Sequence, residues 1–146
     1  HKHNMTPTQA RALLRIHACE DQATTAENSF LRSLRPFSGS LKTQHFHEII
    51  AAVRVLAADF GAQQPSHETV SLFYSIIYCA RAWGLSPQGM LQTNALLTPE
   101  QTATLAAWVE IMEETLYYLL QGCAEEAFTA YENYCAEHPE HTPQVK

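Results

Sequence analysis

Five polar side chains, His67, Ser71, Tyr74, Tyr78 and Arg81, recur three or four residues apart. That spacing stacks side chains along one stripe of an α-helix. An imidazole, a hydroxyl, two phenols and a guanidinium in one row can hold an anionic or aromatic ligand, because they combine hydrogen-bond donors, a fixed positive charge and flat apolar faces. The same row also describes the wet face of a half-exposed helix, with Arg81 favoured near the C-terminal end by the helix dipole. The solvated reading is preferred, and the row is the expected place for a small-molecule site if there is one.

A second constellation is electrostatic. Glu110, Glu113, Glu114, Tyr117 and Gln121 align on one helical face, and Glu125, Glu126 and Glu132 follow. Up to Thr98 eight Lys/Arg face six Asp/Glu, a balance of +2; from Pro99 onward one Lys faces nine Glu, a balance of -8. Runs of one sign are usually solvated faces. Here few cations of the same segment can neutralise the carboxylates, so Glu110, Glu113, Glu114, Tyr117, Glu125 and Glu126 are candidates for contact with a basic protein partner. The same charge repels phosphate backbones, and a nucleic-acid reading would rest on Arg11, Arg15, Arg32 and Arg35 alone.

His45, His47 and Glu48 invite a metal reading. Residues two apart on a helix point about 200° apart, so the two imidazoles do not converge, and the expectation is solvated side chains in a first helical turn. No Glu-x-x-His pair, HExxH motif or zinc-type cysteine spacing occurs, so no metal or cofactor is expected. GxSxG elbows, GxxxxGK[ST] loops and GxGxxG turns are missing too, so no residue is assigned a catalytic role. Cys79, within an apolar stretch, is expected to be an inert core thiol.

The elements that must carry these residues are helices. Thr6-Pro7 with Gln9, and Thr98-Pro99 with Gln101, are start signals with a hydroxyl cap, proline in the first turn and a capping-box partner. Thr24 with Glu27 gives another start, before Phe30, Leu31 and Leu34, with Pro36 and Gly39 as its end. Phe46, Ile49, Ile50, Val53, Leu56, Ala57 and Phe60 form one apolar face, with Gly61 as a left-handed stop. Ser66 opens a helix to about Trp83, closed by Gly84 and apolar on most of its circumference, which suits a central element. A turn near Met90 and Leu91 and a loop over 92–97 follow. The long helix from Thr98 carries Leu105, Trp108, Val109, Met112, Leu116, Leu119 and Leu120 inward and stops at Gly122. A last helix spans about 123–136, with Ala127, Phe128, Tyr131 and Cys135 inward. Strand-type alternation is nearly absent. The expected fold is all-α, an irregular bundle of five or six helices around the apolar helix of residues 66–83.

Composition agrees. The chain has 146 residues, 46% apolar and 16% charged, enough for a core and too apolar for disorder. His1-Lys2-His3-Asn4 reads as an expression remnant, residues 5–137 as a single helical domain and 138–146 as a flexible polar tail. Four cysteines without a CxxC pair suggest reduced thiols, and no apolar run approaches the roughly 20 residues of a membrane span. A cytoplasmic location is the default. The function these features favour is a non-enzymatic regulatory or adaptor protein that binds another protein through an acidic helical face. The alternative is a small-ligand binder or enzyme using the row on the central helix.

Overall fold

Two capping boxes begin the two best-signalled helices. Helix α1 (Pro7–His17) starts where the Gln9 amide donates to Thr6 Oγ1 at 3.1 Å and the Thr6 amide donates to Gln9 Oε1 at 3.0 Å. Helix α7 (Pro99–Leu120) repeats the pattern through Thr98 and Gln101. Such reciprocal bonds satisfy amides that would otherwise lack a partner. In this computed structural model, which describes residues 5–61 and 63–141, the remaining elements are helices as well. They are α2 (Phe30–Leu34), α3 (Thr43–Val55), α4 (Ala58–Gly61), α5 (His67–Ala80), a π turn (Arg81–Leu85), α6 (Met90–Thr93), α8 (Ala124–Ala127), α9 (Thr129–Glu137) and a 3₁₀ turn (Pro139–His141). No strand forms among the described residues. The all-α expectation holds. Residues 1–4 and most of 138–146 lie outside the described residues.

One apolar cluster joins α1, α2, α3, α5 and α7, and Ala127, Phe128 and Tyr134 close it from the C-terminal side. Helix α5 packs on α1, α2, α4 and α7, while α7 packs on α4, α5, α8 and α9. The centre is thus shared between α5 and α7. Helix α5 buries Leu72, Phe73, Ile76, Ile77 and Ala80 but leaves one whole face in water, because its polar row occupies about a third of the circumference.

Chain reversals depart most from expectation, and for a single physical reason. Three helices end in the Schellman arrangement, in which the amide two residues past the cap returns to a carbonyl of the last turn and the residue between adopts a left-handed backbone. At α7 that residue is Gly122 (φ 78°), with Cys123 N–H donating to Tyr118 O at 2.8 Å. At α1 it is Cys19 (φ 63°), with Glu20 N–H to Arg15 O at 2.8 Å, and at α6 it is Ala95 (φ 53°), with Leu96 N–H to Leu91 O at 2.9 Å. Neither cysteine nor alanine announces a left-handed stop. Conversely, Gly61 and Gly84 are not the stops they resemble: α3 ends earlier, at Val55, and Gly61 closes the separate α4 without a left-handed φ. Gly84 is buried inside the π turn, where a Cβ would meet Leu105 Cδ2 at 2.4 Å. The start at Thr24 is also displaced, since α2 is capped by Ser29, whose hydroxyl accepts from the Arg32 amide at 3.3 Å.

The left-handed backbone at Ala95 costs stability that a glycine would return. Ala95 is exposed, so Ala95→Gly loses no packing, and glycine removes the roughly 1–2 kcal/mol that an L-residue costs in the left-handed region. The added freedom of the unfolded chain returns about 0.4–1 kcal/mol of that. The net expectation is a gain of about 0.5–1 kcal/mol, measurable as a higher urea midpoint at unchanged slope. An unchanged or lower midpoint would contradict the left-handed assignment.

Candidate functional site

The polar row lies where a half-exposed helix would put it: His67, Ser71, Tyr74 and Tyr78 are exposed along α5, and Arg81 is exposed at its C-cap, where the π turn begins. Tyr74 and Tyr78 sit with ring centroids 6.2 Å apart. Arg81 is engaged by α7, donating from its Nη2 to Glu113 Oε1 at 2.7 Å and from Nε to Oε2 at 3.1 Å. This two-bond fork links one member of each sequence constellation, which places the two candidate sets on adjoining surface.

Between α5 and α7 runs an open furrow of two hollows that share Tyr74 and Leu120. The upper, about 420 Å³, is walled by Pro65, Ser66, His67, Val70, Ser71, Tyr74 and Leu120. The lower, about 300 Å³, is walled by Tyr74, Ile77, Glu113, Leu116, Tyr117 and Leu120. Its floor is hydrocarbon, and tyrosines stand along its edges. Tyr74, Tyr117 and Leu120 are 54%, 58% and 43% exposed, which gathers three of the exposed large apolar side chains around one furrow. Leu120 had been expected on the inner face of α7. The face turned inward instead carries Leu105, Trp108, Val109, Met112, Thr115 and Leu119, and the last turn before Gly122 leaves Leu120 in the furrow.

The acidic set stands on the outer side of α7. Glu110, Glu113, Glu114 and Tyr117 are exposed, and Glu110 and Glu114 line a further hollow of about 300 Å³ between α7 and α9, together with Glu137 and Asn133. Glu125 and Glu126 stand exposed on α8, beyond the Gly122 turn, and line none of these hollows. Glu113 is answered by Arg81 and Glu132 by Arg54, at 3.5 Å. Among the described residues no ion pair engages Glu110, Glu114, Glu125 or Glu126.

His45 and His47 overturn the expectation of solvated side chains: each is only 4% exposed. The 200° between them still governs their fate, because it sends them to different partners. His45 Nε2–H donates to the Glu27 carbonyl at 2.7 Å, whereas His47 Nδ1 and Tyr131 Oη share a hydrogen bond of 2.6 Å at α9. Burial holds the His45 imidazole below its ordinary pKa, outweighing the hydrogen bond to Glu27. Burial likewise pushes the Tyr131 phenol up. A third imidazole, His17, is fully buried beside His45, with ring centroids 5.0 Å apart. The described residues contain no group of three or more His, Cys, Asp or Glu placed to hold a metal ion.

The thiols differ from one another. Cys79 is half-buried, and burial raises its pKa, in keeping with an inert thiol. Partial burial pushes the exposed Cys19 up as well, but hydrogen bonds from Arg32, Thr24 and Ser29 and the Arg32 charge together outweigh it and hold this thiol below its ordinary value. No helix is long and apolar enough to cross a membrane among the described residues. Comparison with family models, curated proteins and solved structures found no match.

Proposed function

We propose that the chain is a non-enzymatic protein-binding module whose recognition surface is the furrow between α5 and α7, and that its partner presents an amphipathic helix with basic residues beside the apolar stripe. The observation that carries this reading is the exposure of Tyr74, Tyr117 and Leu120 around a hydrocarbon-floored furrow. Tyrosine supplies large contact area with two rotatable bonds and a polar tip, which makes it a common interface anchor. The fourteen residues of α5 extend about 21 Å at 1.5 Å each, room for roughly four turns of an added helix. Such a helix would seat apolar residues at i, i+3 or i+4, and i+7 in the two hollows. Its basic flank would pass over the outer side of α7, where Glu110 and Glu114 supply uncompensated negative charge.

A small-molecule site draws less support from the same surface. Ligand pockets enclose most of their ligand, and this furrow is open along its length, with Arg81 already committed to Glu113.

The test uses a displayed library of helical peptides selected on the intact chain. Recovered peptides should carry the i, i+3/i+4, i+7 apolar pattern with flanking Lys or Arg. Leu120→Glu and Tyr117→Glu should each weaken them at least about tenfold, the scale of an anchor residue, with an unchanged circular dichroism spectrum. Glu110→Lys with Glu114→Lys should slow association and flatten its salt dependence, since charges at an interface edge act mainly by steering. Peptides without basic residues, or binding indifferent to Leu120→Glu, would refute the assignment.

A further inference from the structure

The irregular segment between α1 and α2, residues 18–29, is fastened to the body of the molecule by two buried imidazoles. Just past its C-terminal end the Phe30 amide donates to His17 Nδ1 at 3.0 Å. Three residues earlier, near that same end, the Glu27 carbonyl accepts from His45 Nε2 at 2.7 Å. These bonds define the tautomers: His17 keeps its proton on Nε2, where it donates to Glu48 Oε1 at 2.9 Å, and His45 keeps its proton on Nε2, leaving Nδ1 bare. His45 Nδ1 is buried without a hydrogen-bond partner.

From this arrangement we infer that residues 18–29 form an acid-released strap, held by neutral His17 and His45 and detached when His45 takes up a proton at Nδ1. A proton on Nδ1 would place a cationic N–H donor in a buried position with nothing to accept it. The charged groups acting on that ring are Lys42 and Glu48 from its own helix, while α1 sets the His17 ring beside it and the strap offers it the Glu27 carbonyl. Lys42 opposes the charge. Glu48 favours it, but its carboxylate already accepts from His17.

Relief comes from hydrating the imidazolium, and the strap is the part that can yield. Helices α1 and α3 pack on each other through buried Ala10, Leu14, Ile49, Ile50 and Val53. The strap is held by turns: apart from the two imidazole bonds, its links include Asp21 to the Ala23 amide, Thr25 with Asn28, and Cys19 and Arg32 with Thr24. Local openings draw on such weakly packed segments.

His45 has a lower pKa closed than open, the open value being about 6.5, so the open form binds more protons once pH falls below that value. Closure is therefore fully favoured above pH 6.5 and weakens as pH drops, by up to tenfold in the opening constant per pH unit for one proton, until the closed-state value is passed. Glu48 is held low first by its hydrogen bond from His17. Its contribution is present above the ordinary carboxylate range and is lost only below it, so Glu48 adds nothing to a change between pH 7.5 and 5.5.

Amide hydrogen exchange across pH 7.5 to 5.5, corrected for intrinsic rates, tests the strap directly. The amides of Asn28, Ser29 and Phe30 should lose protection by up to tenfold per unit below pH 6.5, while those of Leu105 to Met112 in α7 stay constant. His45→Gln keeps a donor toward Glu27 and cannot be protonated, so its strap amides should show no pH slope. Should that variant fail to fold, the His45 ring resonances of the unaltered chain give the second measurement, and they should titrate over the range in which the strap opens. Strap amides indifferent to pH, strap and α7 amides losing protection together, a pH slope that survives in His45→Gln, or a His45 titration outside the opening range would each overturn the inference.

Discussion

Trp108→Ala is expected to lower stability by about 3–5 kcal/mol, the largest loss foreseen for any single side chain here. Trp108 is fully buried, lies nearly parallel to Phe46 with centroids 5.0 Å apart, and meets Phe30 at 6.2 Å. Its Nε1–H donates to Tyr134 Oη at 3.0 Å across the α7–α9 contact. Truncation leaves a cavity among aromatic rings and removes one hydrogen bond between buried groups, worth about 0.5–1.5 kcal/mol. A domain of this size holds roughly 5–15 kcal/mol in all, so the variant should sit near its folding margin. Trp108→Phe isolates the second effect, since it keeps a ring against Phe46 and loses the donor. Urea denaturation measures both. A loss below about 0.5 kcal/mol for the alanine variant, the scale of a surface change, would put the indole outside the core.

Much of this centre was legible in the sequence, because Leu105, Trp108, Val109 and Met112 repeat at the three-four spacing that a buried helical face requires, and all four are buried. The capping boxes at Thr6 and Thr98 were legible for a similar reason: their chemistry is complete within four residues. Tyr134 was missed. Its burial depends on where α9 lands, and α9 is separated from α8 at Phe128, which shifts the inward face away from the one expected for a single helix of residues 123–136. Tyr131 is therefore half-buried against His47, and Tyr134 takes the place beside Trp108.

The same limit applied to the candidate surface. Each stripe could be read on its own helix, but that Tyr74 and Tyr117 wall one hollow is a property of how α5 and α7 pack, a long-range fact without local signature. The histidines show the converse. Their divergence by 200° was readable, and their burial was not, because the partners they meet, Glu27 and Tyr131, lie 18 and 84 residues away. Polar residues near a helix start are solvated by default, and only a tertiary partner reverses that.

Turns were the least legible part, and Gly89 carries the second large expectation. Gly89→Ala should cost about 3 kcal/mol, at the upper end of overpacking penalties. Its backbone (φ -72°, ψ 155°) suits any residue, so propensity gives no warning. The cost is one of space: a Cβ there would stand 2.2 Å from the Ala82 carbonyl oxygen, 2.8 Å from that of Trp83 and 3.0 Å from the Trp83 carbonyl carbon. These are backbone atoms of the π turn, and no rotamer change moves them. The 86–90 turn would have to lift away, straining the Ser86 amide bond to Arg81 O (2.9 Å) and the Gln92 side-chain bond to Gly84 O (2.8 Å). Gly122 provides the control of opposite character, since its φ of 78° disfavours a side chain while nothing lies within 4 Å of an added Cβ. Gly122→Ala should therefore cost only the conformational penalty, about 1 kcal/mol. Equal losses from the two substitutions, or a loss below about 0.5 kcal/mol at Gly89, would mean that the turn after the π segment does not approach it as closely as the structure places it.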